Sequence, residues 1–444
     1  LNAQPPPVLL PAIFVSIASY RDPQLVPTIE DCLRKASYPE RLRFGICWQH
    51  TPADPPLPFL RDPRLRILDV DSRHSRGACW ARAEIMKLWQ QEQWYLQIDS
   101  HCRFAPGWDE RLIQMAAATG SPRPILTAYP APFTPTHGAE SETLADCALQ
   151  VAFHAFTHDG IPELWPRPLP PAIQARPMRA RFLAAGFLFA PGSFVREVPY
   201  DPELYFMGEE ASMTVRAFTH GYDLFHPHET LLWHDYGRHD APRHWGDHTA
   251  DTPAPSTSPA TSPSTLWSSL DQTSRRKIHR LLHGEAIQDF GLGTARTLEE
   301  YEHYAGLSFR ERKAQTYTLS ALEPPNPCAQ SGWTDEVQNW IVKIVFPRAQ
   351  LPAGALADPL HWFLGIRDAA GADVYQHRML PAEIEPLQQE GEQLAIVCEF
   401  ASETTPASWL LWPLSHASGW LPALEGRFAP GDVALLQPEE SAKP

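Results

Sequence analysis

Trp94-Tyr95-Leu96-Gln97-Ile98 is an apolar-rich run that stops abruptly at Asp99-Ser100-His101, followed by Cys102-Arg103-Phe104. The run reads as a buried strand. In an open α/β sheet, ligands gather at the ends of strands. A carboxylate and an imidazole two residues apart at such an end can both reach one divalent cation. A cation held there can act as a Lewis acid, neutralising charge that builds up on a leaving diphosphate. Alone, the tripeptide is also an ordinary turn at a strand end, so its surroundings decide its weight.

Outward from this strand, apolar runs alternate with helical periodicity. Ile13 to Ala18 reads as a strand, Pro23 to Ala36 as a helix, and Arg43 to Gln49 and Arg64 to Val70 as two more strands. Ala78 to Gln91 is a helix with Ala81, Ile85, Leu88 and Trp89 on one face. Downstream come a helix at Trp108 to Ala118 and strands at Pro124 to Tyr129 and Val151 to Thr157. Arg181 to Ala190 reads as one buried strand broken by Gly186. Ser193 to Val198 and Ala211 to Thr219 read as helices, and Leu224 to His226 and Leu231 to Tyr236 as strands. This alternation predicts an α/β fold with a largely parallel sheet. Between Pro130 and Arg179 the sequence is Pro- and His-rich and is expected to form substrate-side loops.

His248 to Thr265 is a Pro/Ser/Thr/Ala tract that reads as a linker or long loop. Helices are expected at Leu266 to His283 and Thr297 to Ala305. From Val337 the pattern changes to short strands, at 337–346, 362–367, 374–379, 394–400 and 409–414. These predict a separate β-sandwich of about 110 residues. The domain layout is therefore a core at 1–247, a linker at 248–265, a helical extension at 266–320 and a β-rich domain at 330–444.

At 444 residues with 43% hydrophobic and 11% aromatic content, the chain can build real cores. The net charge of −15 argues against a nucleic-acid binder. Proline, at 47 residues, is roughly twice its usual share. The seven cysteines are scattered and none forms a C-x-x-C pair, which fits free thiols in a reducing compartment. No apolar run is long enough for a membrane span. Residues 1–11 lack the features of a signal peptide, so a cytoplasmic protein is expected.

Seven blocks stand in order: FVSIASYRDPQLVPTIEDCL, RGACWARAEIMKLW, YLQIDSHCRF with a following GWD, GFLFAPGSF, GEEASMTVRAFTHGYDLFHP, WHDYGR and GTARTLEEYEHYAGL. Together they resemble the GlcNAc-transferase family of the cytoplasmic hydroxyproline-linked enzymes of protists, which has bacterial relatives. More distantly they are similar to the mucin-type polypeptide GalNAc-transferases. The resemblance spans about residues 12 to 308 and leaves the C-terminal region uncovered. It implies a GT-A fold, a UDP-sugar donor, a divalent metal and transfer with retention of anomeric configuration.

Under that resemblance Asp99 and His101 are the metal pair and His234, in Trp233-His234-Asp235-Tyr236, is the third ligand. Imidazole with carboxylate suits Mn2+, with Mg2+ as an alternative. His234 by itself reads more readily as a packed or capping histidine, because His226, His228 and His239 crowd the same region. Ser19, Tyr20 and Arg21 end the first strand, where uridine would lie; Gln97 and Ser100 are assigned to the donor as well. Arg76 and Arg82 flank a helix start suited to diphosphate. Glu209 and Glu210, with Gly186, are expected to touch the sugar or acceptor, and one glutamate to deprotonate the acceptor if any base exists. Helix N-termini attract carboxylates in any case. Arg216 is expected to orient the glutamates through an ion pair. Arg238 is expected to neutralise the leaving phosphate.

The reading is a metal-dependent retaining transferase moving GlcNAc from UDP-GlcNAc to a hydroxyl of a protein or glycan. The alternatives are another UDP-sugar, an inactive carbohydrate-binding scaffold, or a metal-dependent hydrolase. Phosphate-loop, dinucleotide and nucleophile-elbow glycine motifs do not occur. In the β-rich region, Trp333, Trp340, Trp362, Trp409, Trp412 and Trp420 raise carbohydrate binding, although strand-like surroundings place most of them in a core.

Overall fold

In the computed structural model the described residues are 11–435, apart from 59, 136–142, 146, 158, 171–174, 239–240, 245–266, 328–331, 334–337, 380, 390 and 403. The expected 248–265 linker lies outside them. The chain divides into two compact units. One comprises Leu1–His154, Ile161–Arg310 and Tyr317–Ser331; the other comprises Ala155–Gly160, Glu311–Thr316 and Gly332–Pro444.

The first unit opens with β1 (Ile13–Tyr20), α1 (Leu25–Lys35), β2 (Leu42–His50), β3 (Leu65–Asp71), α2 (Ala78–Met86) and β4 (Trp94–Asp99). It continues with β5 (Cys102–Phe104), α3 (Trp108–Ala118), β6 (Pro124–Thr127), β7 (Ala131–Thr134), β8 (Thr143–Leu144), β9 (Leu149–Phe156) and β10 (Pro162–Pro168). Then follow β11 (Met178–Arg179), β12 (Phe187–Pro191), α4 (Phe194–Glu197), α5 (Glu209–Thr219), β13 (Asp223–His226) and β14 (Leu232–His234). Eight strands form the main sheet in the order β11-β13-β6-β12-β4-β1-β2-β3. The β4-β1-β2-β3 block is parallel throughout. β12 runs antiparallel to both its neighbours, and β11 is an antiparallel edge. This is the α/β class with a largely parallel sheet that the alternation predicts.

The strands are apolar on both faces because helices cover both. On one face Val15, Ile17, Phe44 and Ile46 share a core with Leu25, Ile29 and Cys32 of α1 and Trp108 and Leu112 of α3. The Trp108 indole N–H donates to the Cys32 carbonyl at 3.0 Å, tying α3 to α1. On the other face α2 packs on β1 and β2. There Gly45 leaves room for the Phe14 ring and for Ile85 of α2.

One expected strand is half a strand. Within 181–190 only Phe187 onward is extended in the sheet, and 181–186 form bends and turns. The N–H groups of Leu183, Ala184 and Ala185 go instead to Thr214 Oγ1, Thr127 Oγ1 and a Glu210 carboxylate oxygen, at 2.8–2.9 Å. Side chains satisfy this buried backbone, so apolar content does not require a strand. In the Pro130–Arg179 region the strand expected at Val151–Thr157 is β9, and the remainder, expected as loops, carries β7, β8, β10 and β11.

In the second unit, Gln338–Pro347 lies between Gln393–Ser402 and Val433–Leu435 in a three-stranded sheet. Pro359–Asp368 and Pro406–Ser415 form the centre of a five-stranded sheet completed by Asp373–Met379, Gly419–Trp420 and Leu424–Arg427. Both sheets contribute to one core, which holds Val342, Ile344, Trp362, Leu364, Leu394 and Leu411. Trp340, Trp362 and Trp409 are buried, and Trp412 and Trp420 are exposed. A helix at Pro381–Gln389, with Pro386 inside it, stands where no element is expected. Ile384 and Leu387, three residues apart, anchor it in the core.

A methyl group at Gly45 would lie 2.3 Å from Phe14 Cζ and 2.8 Å from Ile85 Cγ2. Gly45→Ala is expected to destabilise the first unit by about 1–3 kcal/mol through overpacking. Urea denaturation followed by far-UV circular dichroism measures this, and an unchanged midpoint would refute it.

Candidate metal centre

β4 delivers Asp99 to the end of the main sheet. The chain then crosses through Ser100 and His101 into β5, which belongs to a second sheet in the order β5-β14-β7-β8. β5 and β14 pair antiparallel with His234 opposite Cys102. The Asp235 N–H also donates to the His101 carbonyl, at 3.0 Å. This register brings Asp99, His101 and His234 together, with one ligand-type atom from each lying within 4.8 Å of the others. Helix α1 holds the crossing in place. Thr28 Oγ1 lies 2.9 Å from the Ser100 carbonyl and accepts the Cys102 N–H at 2.9 Å. One turn on, the Asp31 carboxylate accepts the Phe104 N–H at 2.8 Å.

Each member of the trio has a supporting partner. Asp99 Oδ1 accepts from Arg82 Nη2 at 3.0 Å, and Oδ2 lies 3.1 Å from His234 Nε2. Burial disfavours the Asp99 charge, but the His234 ring and the Arg82 guanidinium outweigh it and hold the carboxyl well below its usual range. His101 Nδ1 lies 2.7 Å from Asp22 Oδ2. Arg238 Nη1 also lies 2.7 Å from that nitrogen, so Nδ1 either accepts from Arg238 or donates to Asp22; in the second tautomer Nε2 keeps its lone pair, the arrangement metal-bound histidines commonly show. Arg238 Nη1 pairs with the same Asp22 oxygen at 3.1 Å, and Ser100 Oγ also donates to it. His234 is depressed by burial, favouring a neutral ring, and its buried Nδ1 has no hydrogen-bond partner. A carboxylate and two imidazoles, one with an unused ring nitrogen and the other braced by a carboxylate, fit a borderline divalent cation such as Mn2+. Gly186 backs this site: a Cβ there would lie 3.0 Å from Asp99 Oδ2.

The two glutamates at the start of α5 have different surroundings. Glu209 is buried and takes both bonds of Arg82 Nη1, at 2.7 and 2.9 Å, and the Cys79 thiol at 2.8 Å. Arg82 thus bridges Glu209 to Asp99. Glu210 accepts from the Tyr129 hydroxyl at 2.7 Å and from the Ala185 N–H at 2.8 Å. Burial pushes its carboxyl up from 4.5 to about 7, against the pull of those two bonds.

Several sequence expectations meet a different geometry. Gln97 is fully buried: its Oε1 accepts from Tyr95 Oη, and its Nε2 donates to the Ala185 carbonyl and to Tyr200 Oη. It braces the sheet and is closed to a donor. Ser19 is likewise buried inside β1, and the Ser100 hydroxyl is taken by Asp22. Arg82, expected to meet diphosphate, is buried between two carboxylates. Glu209 is engaged by Arg82 and Cys79, not open to a sugar. Arg216 forms no ion pair with either glutamate; it is buried over the Phe290 ring, and burial lowers its guanidinium to about 10. Tyr20 and Arg21 stand half-buried at the end of β1, where Arg21 adopts a left-handed φ of 47°. Arg76 is exposed just before α2. Sequence reading missed Asp22, Thr28, Asp31 and Tyr129, whose roles depend on partners more than 70 residues away.

Residues 12–61 and 56–311 match the family model described as Glycosyltransferase (GlcNAc). The chain belongs to this family. Among solved structures, GalNAc-T7 with UDP, GalNAc and Mn2+ is 14% identical at a TM-score of 0.42, covering 66% of this chain and 54% of that one. TarS residues 1–349 from S. aureus, in complex with UDP-GlcNAc, is 11% identical at 0.33, covering 52% of this chain and 60% of that one. Full TarS is 9% identical at 0.33, covering 94% and 77%. This glycosyltransferase-family chain therefore spans about half the length of the first of these structures. No curated protein matches its sequence. The six described cysteines are all free, and no described helix is long and apolar enough to cross a membrane.

Arg82→Met leaves Glu209 buried without its countercharge. The expected cost is about 3–5 kcal/mol, far above that of a surface ion pair. A urea midpoint within error of the wild type would contradict the bridging role. Glu210 gives a pH signature. Its folded pKa exceeds the unfolded value, so the folded state retains a proton that the unfolded chain loses between about pH 4.5 and 7. Stability from this group falls as pH rises through that window. Glu210→Gln should therefore lose less melting temperature than the wild type between about pH 5 and 8, read by scanning calorimetry.

Proposed function

We propose that this chain is a metal-dependent, retaining glycosyltransferase that moves GlcNAc from UDP-GlcNAc to an acceptor hydroxyl. The Asp99–His101–His234 cluster carries this reading. The family description supports the sugar. Asp99, His101 and His234 hold the divalent cation, Mn2+ in our reading, which when bound supplies positive charge to the diphosphate of the donor. Tyr20 and Arg21, at the end of β1, and Arg76, before α2, are assigned to the donor. Arg238 adds positive charge beside the cluster, where the leaving phosphate gains negative charge.

In the proposed transfer the bond between the anomeric carbon and the phosphate oxygen breaks. The acceptor oxygen bonds to that carbon on the same face. The acceptor proton passes to the leaving phosphate, giving UDP and the glycosylated acceptor. Glu210 takes the role of a hydrogen-bond partner to sugar or acceptor hydroxyls. Glu209 and Arg82 act as positioning groups behind Asp99. We assign the catalytic core to 1–247, completed by 266–320, and the region 330–444 to a separate domain. The free thiols suit the cytoplasm.

Titration calorimetry with UDP-GlcNAc, with and without Mn2+, tests the reading. Wild-type protein is expected to bind the donor only with Mn2+, and Asp99→Ala to weaken binding by more than about tenfold. Absence of donor binding by a folded wild-type protein would remove the transferase reading. Release of UDP that rises with added acceptor separates transfer from hydrolysis.

A further inference from the structure

The second unit carries an aromatic surface that its fold does not use. Strand alternation places Trp412 and Leu414 on the outer face of the five-stranded sheet, while Leu411 and Pro413 point inward. Pairing extends that face sideways. Phe363 lies opposite Trp412, and His361 and Trp420 lie on either side of Leu414. The result is a strip of rings around one leucine. Trp412 and Trp420 have centroids 4.5 Å apart and planes tilted by 37°; His361 meets Trp420 edge-on at 5.6 Å. The Trp412 N–H donates to the Leu421 carbonyl at 2.8 Å, which fixes that indole. Yet Trp412 and Trp420 remain 39% and 48% exposed, unlike Trp340, Trp362 and Trp409 in the core.

We infer that this strip is a binding platform for a neutral oligosaccharide. Two adjoining indoles with a shallow tilt present apolar faces that match the C–H face of a pyranose, and an amphipathic ring suits a surface that is apolar in the middle and wet at the edge. Charge points the same way. His361, Phe363, Trp412, Leu414 and Trp420 include no carboxylate, lysine or arginine. Asp358, at the rim, accepts from the Ser415 hydroxyl and the Ala417 N–H, both at 2.8 Å. The strip's own residues are uncharged, and the register sets Arg378 opposite Phe363 and Glu425 opposite Leu410, two flanking charges of opposite sign, so the face has no single-sign excess that would select a phosphate or an acidic peptide. The choice of sugar over another neutral partner rests on membership of a glycosyltransferase family, and needs neither donor nor metal.

The test uses the full chain, without UDP-GlcNAc or Mn2+, on an array of neutral and acidic glycans. Calorimetry then follows on the strongest neutral ligand. Binding of neutral glycans is expected. Trp412→Ala and Trp420→Ala should each weaken it at least about tenfold. Trp420→Phe should restore part of it, and Val345→Ala, on the other sheet, should leave it unchanged. Circular dichroism confirms that each variant is folded. UDP-GlcNAc titration of Trp420→Ala keeps the two sites apart: donor binding should survive. Three results overturn the inference. These are no neutral glycan bound by the wild type, binding that survives both alanine variants, or a self-association lost in Trp412→Ala without any glycan binding.

Discussion

The antiparallel pairing of β5 with β14 fixes the site. Its register sets His234 opposite Cys102, one residue beyond His101. A shift by one residue would turn His234 to the opposite face of its sheet, because side chains alternate with period two. The crossing from β4 to β5 therefore has to be rigid. Thr28 and Asp31, one turn apart on α1, hold its backbone from beneath. The helix that covers the sheet also sets the position of the cluster.

Charge at the site is organised in layers. Asp99 and Glu209 share the buried Arg82, while Asp22 gathers Ser100, His101 and Arg238. Each carboxylate is thus matched before any ligand arrives. A buried carboxylate without such a partner would take up a proton instead. Glu210 shows that outcome in milder form: its bonds come from neutral donors, and its carboxyl is pushed up to about 7.

Much of this was legible in the sequence. The strand ending in Asp-Ser-His, the β1 run and the helix at Trp108–Ala118 stand where periodicity put them. The three candidate ligands do meet. Two kinds of feature were not legible. The first is buried backbone satisfied by side chains: 181–186 is as apolar as a strand, but Thr127, Thr214 and Glu210 take its N–H groups. The second is how deep along a strand a polar side chain sits. Gln97 and Asp99 lie two residues apart on one strand, yet Gln97 is sealed among Tyr95, Ala185 and Tyr200 whereas Asp99 reaches the sheet end. Arg82 reads as a phosphate ligand in one dimension and is a bridge between carboxylates in three.

The division of the chain has a consequence for how the protein can be taken apart. The second unit is not a bead appended to the first. It includes Ala155–Gly160 and Glu311–Thr316, two short segments interrupting the stretch that builds the first unit. A single break in the chain cannot separate the two units without leaving pieces of one attached to the other. The β-rich unit is therefore ill suited to exchange as a cassette. Grafting it onto another enzyme, or replacing it, would require redesign at three places along the chain.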